Sequence, residues 1–382
     1  MKINIQNIIN LYFKMFNLTL SRDQDKTENQ ALSPYSFLQV LGLLANGTDD
    51  ETSNKFIGKL GFEPNINDFN INSNKINEIL TKKRNRDDLF VTCDYIVTNY
   101  LFHSDKFIIN EDFKTLISNF YNIKISSYNP KKVIDDYKNF YHYITNGTNI
   151  IFQHFITSFG PDMCLLKENN FYLKQEWSTN FDFFRVEDFT TYAGKVKQDM
   201  MYNYIAKKYN FYEDEKIIAV KMLYKNSDSF FLAVMPKKIE DWDEVTKKIC
   251  SENELNCLIS RMEYGNVNLT FPKFRFEYEV DFITYSKDLG IDSMLNSLKL
   301  DKLKTDFKYE NLEIKQNVLI DVYEFGFVTH LVSNKSVKEK TEANNFRVLE
   351  FNKPFLWFVI RQDDNFTCSL PIFMGKFIGP KK

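Results

Sequence analysis

The chain has 382 residues, 43% hydrophobic and 26% charged, enough apolar material for a large core. A net charge of −2 at pH 7 gives no general attraction to nucleic acid or to an anionic membrane. No stretch is long and apolar enough to cross a bilayer as a helix, and the five cysteines form neither a CxxC pair nor a metal-ligand spacing.

Residues 3–18 place Ile5, Ile8, Ile9, Tyr12, Phe13 and Phe16 on one face and predict a helix. That apolar run is interrupted by Asn4, Gln6, Asn7, Asn10 and Lys14, so it does not read as a signal peptide. Residues 23–30 form a polar linker. A second helix starts at Ser33 with Pro34 in its first turn and stops at Gly47. Thr48-Asp-Asp-Glu51 reads as a capping box that opens a third helix carrying Phe56 and Leu60. Residues 111–121 read as helical, and Asn129-Pro130 starts a further helix with Val133, Ile134, Tyr137 and Phe140 turned inward.

From residue 168 onward strands dominate: 168–175, 215–224, 229–235, 268–280, 315–324, 346–351, 355–361 and 370–377. The segment FRFEYEV alternates cleanly, with Phe274, Phe276, Tyr278 and Val280 facing a core. Helices early and strands late predict an α+β fold in one domain, residues 1–382, with no internal repeat and no evident boundary.

Between the strands 315–324 and 351–361 lies a segment of another kind. After Gly326 it begins as strand former, but from Asn334 to Asn345 it is polar, charged and without core residues. A long exposed loop inside a compact chain is usually functional or disordered. This one offers Lys335, Lys338 and Lys340 to a protease of trypsin-like preference. No GxSxG, HExxH or P-loop pattern marks the chain as an enzyme. The four histidines, at 103, 142, 154 and 330, are scattered. No metal or cofactor is expected.

Several motifs occur in a particular order. They are Leu32-Ser-Pro-Tyr-Ser36, Asn46-Gly-Thr-Asp-Asp-Glu-Thr52, Asn169-Asn-Phe-Tyr-Leu-Lys-Gln-Glu-Trp177, Met200-Met201 and Phe271-Pro-Lys-Phe274. Leu289-Gly-Ile291, Glu324-Phe-Gly326, Phe351-Asn-Lys-Pro-Phe355 and Phe373-Met-Gly-Lys376 follow. In this order, nearly end to end, the chain resembles the serpin family. Gln175 stands where that family usually has Gly.

The resemblance implies three β-sheets, eight or nine helices and an exposed reactive-centre loop, here residues 327–350. It also implies a monomer, secreted or else cytoplasmic, that supplies no catalytic group. In inhibitory serpins the native state is metastable. A serine protease attacks the loop, an acyl-enzyme forms, and the freed segment enters the central sheet as a new strand, distorting the protease before deacylation. Glu324, Gly326, Phe327 and Thr329 would be the hinge. The family's usual interval, counted forward from Glu324, puts the reactive bond at Lys340-Thr341. Counting back from Phe351 lands near Ala343-Asn344, and Lys338-Glu339 is a third candidate. Ser33, Ser36, Asn169 and Gln316 resemble the polar cluster beneath the central strands, with Trp177 at the loop's point of entry.

One departure favours an alternative. Inhibitory members carry a small residue at the Phe327 position and small ones at 329–332. A bulky ring there would slow insertion, and a non-inhibitory serpin with a binding, carrier or chaperone role is the competing expectation. Lys82, Lys83, Arg84 and Arg86 fall near where some serpins bind sulfated polysaccharide, but Asp87 and Asp88 follow at once and favour a solvated turn. Six Asn-x-Ser/Thr sites, at Asn17, Asn46, Asn146, Asn268, Asn334 and Asn365, arise readily in an Asn-rich chain and do not establish secretion.

Overall fold

The computed structural model describes residues 6–81, 95–104, 108–128, 165–173, 175–225, 227–296, 299–302, 315–327, 346–362 and 369–380. The helix expected from Asn129, the basic run 82–86 and the segment 328–345 lie outside them.

The first half is mainly helical. Helix α1 (Gln6–Arg22) buries Ile8, Ile9, Tyr12, Phe13 and Phe16, as its apolar spacing requires. Strand β1 (Gln30–Leu32) leads into α2 (Pro34–Gly47), where proline occupies the first helical position. Helix α3 (Asp50–Lys59) is capped by Asp49, whose carboxylate accepts from the Thr52 amide. The expected cap, Thr48, instead donates its hydroxyl to the Ala45 carbonyl at 3.1 Å, closing the previous turn. Next come α4 (Ile66–Thr81), β2 (Tyr95–Ser104), α5 (Glu111–Tyr121) and β3 (Ile123–Tyr128). Asn110 caps the start of α5, and Asn122 closes it at φ 50, in the left-handed region that asparagine tolerates.

Strands then take over. They are β4 (Leu165–Leu173), β5 (Gln175–Glu176), β6 (Phe183–Thr191), β7 (Gly194–Tyr202), β8 (Lys207–Glu213), β9 (Ile217–Leu223) and β10 (Ser229–Pro236). Two helices, Trp242–Ile249 and Glu252–Ser260, precede β11 (Glu263–Pro272) and β12 (Phe274–Asp281). Two short helices, Ser286–Leu289 and Asp292–Asn296, precede β13 (Lys315–Tyr323) and β14 (Gly326–Phe327). The chain closes with β15 (Arg347–Glu350), β16 (Phe355–Arg361) and β17 (Leu370–Phe377). The described residues thus hold nine α-helices in a mixed α+β arrangement.

Three sheets result. The large one runs β1-β17-β16-β10-β9-β8-β11-β7-β6, with β15 parallel beside β11. The second runs β12-β13-β14-β5 and the third β3-β2-β4. By compactness the chain forms two units. One contains Met1–Tyr35, Leu173–Val280 and Asn317–Lys382, the other Ser36–Tyr172 and Asp281–Gln316. The first holds the large sheet and the β13-β14-β5 ladder. The second holds β2 and β3, most of β4 and the helices α3 to α5.

Four strands of the large sheet, β1, β10, β16 and β17, are buried along their whole length, and α1 packs on β17 and sets Phe16 edge-on to Phe358 of β16 at 5.9 Å. Gly375, in the Phe373-Met-Gly-Lys376 motif, has no room for a side chain. A Cβ there would lie 2.2 Å from the Trp357 ring and 2.3 Å from the Gln30 carbonyl oxygen. The next residue, Lys376, is 1% exposed and pairs with Asp23, whose side chain is 8% exposed. Burial pushes the Lys376 ammonium below its usual pKa, with Asp23 opposing. Burial alone would raise the Asp23 carboxyl. Hydrogen bonds from Lys376 Nζ and from the Thr27 and Glu28 amides outweigh that and hold it below the ordinary range.

In the second unit, Asn46 and Asn70 exchange amide hydrogen bonds at 2.8 Å, and Tyr121 Oη donates to Asn70 Oδ1 at 2.6 Å. Asn46 is 4% exposed and also donates to the Gly42 carbonyl at 2.7 Å. Its Asn-Gly-Thr triplet is therefore closed to glycosylation in the folded chain. The triplet encodes a buried polar tie between α2, α4 and α5.

Candidate functional site: the β13–β14 turn

Strand β13 alternates, with Val318, Ile320 and Val322 buried, and ends at Tyr323. The chain turns through Glu324 and Phe325 and comes back as β14. On one side β14 pairs antiparallel with β13, Tyr323 with Gly326 and Val322 with Phe327. On the other it pairs antiparallel with β5, Gly326 with Glu176 and Phe327 with Gln175. The two residues after the turn thus form a strand with hydrogen-bonded neighbours on both sides.

Glycine is the residue this register demands. A Cβ on Gly326 would meet the Gln175 carbonyl oxygen at 2.1 Å and Glu176 Cα at 2.9 Å. Gln175, where the resemblance expects glycine, supplies that backbone while its own residue is buried.

Trp177 fixes the turn from the neighbouring strand. Its amide donates to the Phe325 carbonyl at 2.9 Å, and its indole Nε1 donates to the Tyr323 carbonyl at 2.9 Å. The Phe181 amide donates to the Glu324 carbonyl at 2.9 Å. Every carbonyl from Tyr323 to Phe325 therefore has a donor from the segment 177–181. The indole is 2% exposed, stacks on Tyr224 at 5.1 Å and 10°, and meets Phe231 edge-on at 5.9 Å. Its orientation is set by packing, so the turn is held by a rigid group.

The Glu324 carboxylate receives Lys273 Nζ at 3.1 and 3.3 Å. Lys273 sits at the break between β11 and β12. Its amide donates to the Asp199 carbonyl at 2.8 Å, one step beyond the Pro272–Met200 pair of the β11–β7 ladder, its carbonyl accepts from Gln198 Nε2, and its ammonium lies 4.6 Å from the centre of the Phe184 ring. The two side chains are 12% and 34% exposed, so the pair is shielded on the glutamate side and wet on the lysine side. Lys273 was legible as part of the Phe271-Pro-Lys-Phe274 motif. Its pairing with Glu324 was not, because nothing local in sequence joins residues that far apart.

The structure therefore gathers Trp177, Glu324, Gly326 and the backbone of Phe327 at one turn and adds Lys273 and Gln175. Thr329, Lys340 and Thr341 lie outside the described residues, as do Lys82, Lys83, Arg84 and Arg86. Ser33 and Ser36, 0% and 2% exposed, flank the start of α2, and Gln316, 4% exposed, is on β13. Ser33 belongs to the first compact unit, Ser36 and Gln316 to the second. Asn169 lies on β4. Among the described residues no group of three or more His, Cys, Asp or Glu side chains could hold a metal ion, and no helix is long and apolar enough to cross a membrane.

At this turn β14 is paired on both edges, with β13 on one side and β5 on the other. Comparison with known proteins supplies the family. The family model described as Serpin (serine protease inhibitor) matches residues 6–380, and the chain belongs to that family. Relatives include an uncharacterized serpin-like protein of Methanosarcina acetivorans, 24% identical over 97% of this chain and 84% of that one. Another is human Serpin B4, 21% identical over 96% and 97%. Among solved structures, thyroxine-binding globulin in complex with thyroxine superposes with a TM-score of 0.80 at 17% identity, over 98% of this chain and 99% of that one. A cleaved Serpin 42Da superposes with a TM-score of 0.79 at 16% identity, over 100% and 99%. These likenesses give the fold.

Proposed function

We propose that the protein is a suicide substrate for a serine protease of trypsin-like preference, cut at Lys340-Thr341. The observation that carries this reading is β14. The residues that begin the loop hydrogen-bond to β13 and β5 at once, so the register for an added strand is set at the turn. Each further residue could extend a ladder already nucleated on both sides, which removes the costly first pairing. Lys340 followed by a small hydroxyl residue suits an acidic specificity pocket.

A second reading has its own support. The aromatic Phe327 follows Gly326 immediately, and the solved relatives include a thyroxine-binding globulin, so a serpin used for binding fits the same fold. Incubation with trypsin followed by denaturing gel electrophoresis decides between them. A covalent complex that disappears in Lys340→Ala supports inhibition at that bond. Cleavage with no complex supports the binding role.

A further inference from the structure

Strand β15 begins where the described chain resumes after the loop, and it opens an unusual surface. Asn268 pairs with Val348, and Val267 with Arg347, across the parallel β11–β15 ladder. On its other edge β11 pairs with β8, Tyr264 opposite Asn210 and Asn266 opposite Lys208. Paired residues point to the same side of a sheet. Phe346, Val348, Tyr264, Asn266 and Lys208 therefore share one face, which continues to Leu223 on β9.

That face is exposed and rich in large side chains. Tyr264 is 64% exposed, Val348 55%, Leu223 44% and Phe346 43%. Lys208 Nζ lies 5.7 Å from the centre of the Tyr264 ring, an exposed cation–aromatic pair. Exposed apolar residues scattered singly mean little. Register sets Phe346, Asn266, Lys208 and Leu223 in one row across β15, β11, β8 and β9, with Val348 and Tyr264 to either side of it, so the four large side chains surround Asn266 and Lys208 in a mixed patch about 15 Å wide at the usual strand spacing. Aromatic side chains with a cation are the composition of protein-binding surfaces.

Chain length says what covers it. In the proposed function the protease is held at Lys340-Thr341, and Thr341 to Asn345 are the only residues between that bond and Phe346. Fully extended, this tether spans at most about 20 Å. A protease domain of about 220 residues has a radius of gyration of about 17 Å. An enzyme engaged at the bond is thus tied within its own width of Phe346.

We infer that the Phe346–Tyr264–Lys208 face docks the target protease, beside its active-site cleft, before the reactive bond is cut. This rests on the proposed function for the identity of the partner, but it needs neither acylation nor strand insertion. The face adds contacts that a loop sequence alone lacks. It selects among proteases that share a taste for lysine, and it favours one whose rim carries an apolar depression flanked by acidic groups to meet Lys208 and the exposed Arg347.

The test uses the full chain and trypsin whose catalytic serine is replaced by alanine, so that binding is measured without chemistry. Affinity is compared for the natural chain, Tyr264→Ala with Val348→Ala, and Lys208→Glu. All three sites are exposed, and an unchanged thermal midpoint confirms intact folding. The expected result is a dissociation constant raised about tenfold or more in the double variant, and a smaller salt-dependent rise in Lys208→Glu. Equal affinities for all three proteins, or no binding by the natural chain, overturn the docking face. Active trypsin run in parallel reports on the function separately. Cleavage without a covalent complex defeats suicide inhibition whether or not the face binds.

Discussion

The Gln175 carbonyl oxygen occupies the space that a side chain on Gly326 would need: a Cβ would stand 2.1 Å from it. Gly326 is thus fixed by contact with the strand on its far side, and its backbone can lie between β13 and β5 only while it is glycine. Replacement by alanine should expel β14 from the ladder or shift β5, at a cost of about 1–3 kcal/mol, the range for overpacking. Denaturant unfolding of Gly326→Ala checks the stability. Covalent complex with trypsin should fall together with it. A variant as stable and as inhibitory as the natural chain would show that β14 is dispensable.

The Lys273–Glu324 pair holds the turn from outside. Removing the carboxylate in Glu324→Gln leaves an ammonium that water still reaches, so the loss should be about 1 kcal/mol. Glu324→Lys sets two cations together and should cost more, with a larger share recovered at high salt. The charge-swapped double variant, Lys273→Glu with Glu324→Lys, should regain part of the loss. A double-mutant cycle in thermal unfolding measures this, and strict additivity would deny the pairing.

Acid should weaken the first unit through Asp23. Its folded pKa is depressed, so the folded state binds its proton less readily than the unfolded chain, where the value is about 3.9. Stability from this group is present above that value and is lost as pH falls through the lower folded pKa. Asp23→Asn also strands the Lys376 ammonium, 1% exposed, and should cost about 3–5 kcal/mol at pH 7. The gap between natural chain and variant should narrow below about pH 4. A gap constant from pH 7 to pH 3 would remove Asp23 from the account.

Phe327 separates the two functional readings. If its ring slows strand entry, Phe327→Thr should raise the fraction of trypsin captured relative to loop simply cleaved. Densitometry of complex and cleaved bands at several enzyme ratios gives this partition. An unchanged partition would clear the ring of any role.

Much of the fold could be read along the chain, and the exceptions have physical causes. Helix α1 and the alternating start of β12 announce themselves because one face of each is buried and the other is wet. The β6–β7 hairpin does not. Strand β6 ends the large sheet, exposes Phe184 and Val186 on one face and Arg185 on the other, and so shows no period of two. Residues 268–280 read as one strand, but the structure breaks them at Lys273, where the β11–β7 pairing ends on Asp199 and the chain passes from the large sheet into β12 of the second sheet, with the Lys273 side chain reaching Glu324. In the candidate site, Glu324, Gly326 and Trp177 were visible as motif residues. Lys273 as a partner and Gln175 as the contact that fixes Gly326 depend on strand register, which no local pattern encodes.

The central claim is that the intact chain is held short of its lowest free energy and reaches it when the loop is cut and the strand begun at Gly326 is completed. One comparison tests it: the thermal midpoint of the intact protein against that of the same protein nicked at Lys340-Thr341 and kept as a two-chain species. A nicked form that melts well above the intact one is the predicted result. Equal midpoints, with the new amino terminus and the severed segment both open to further proteolysis, would contradict it.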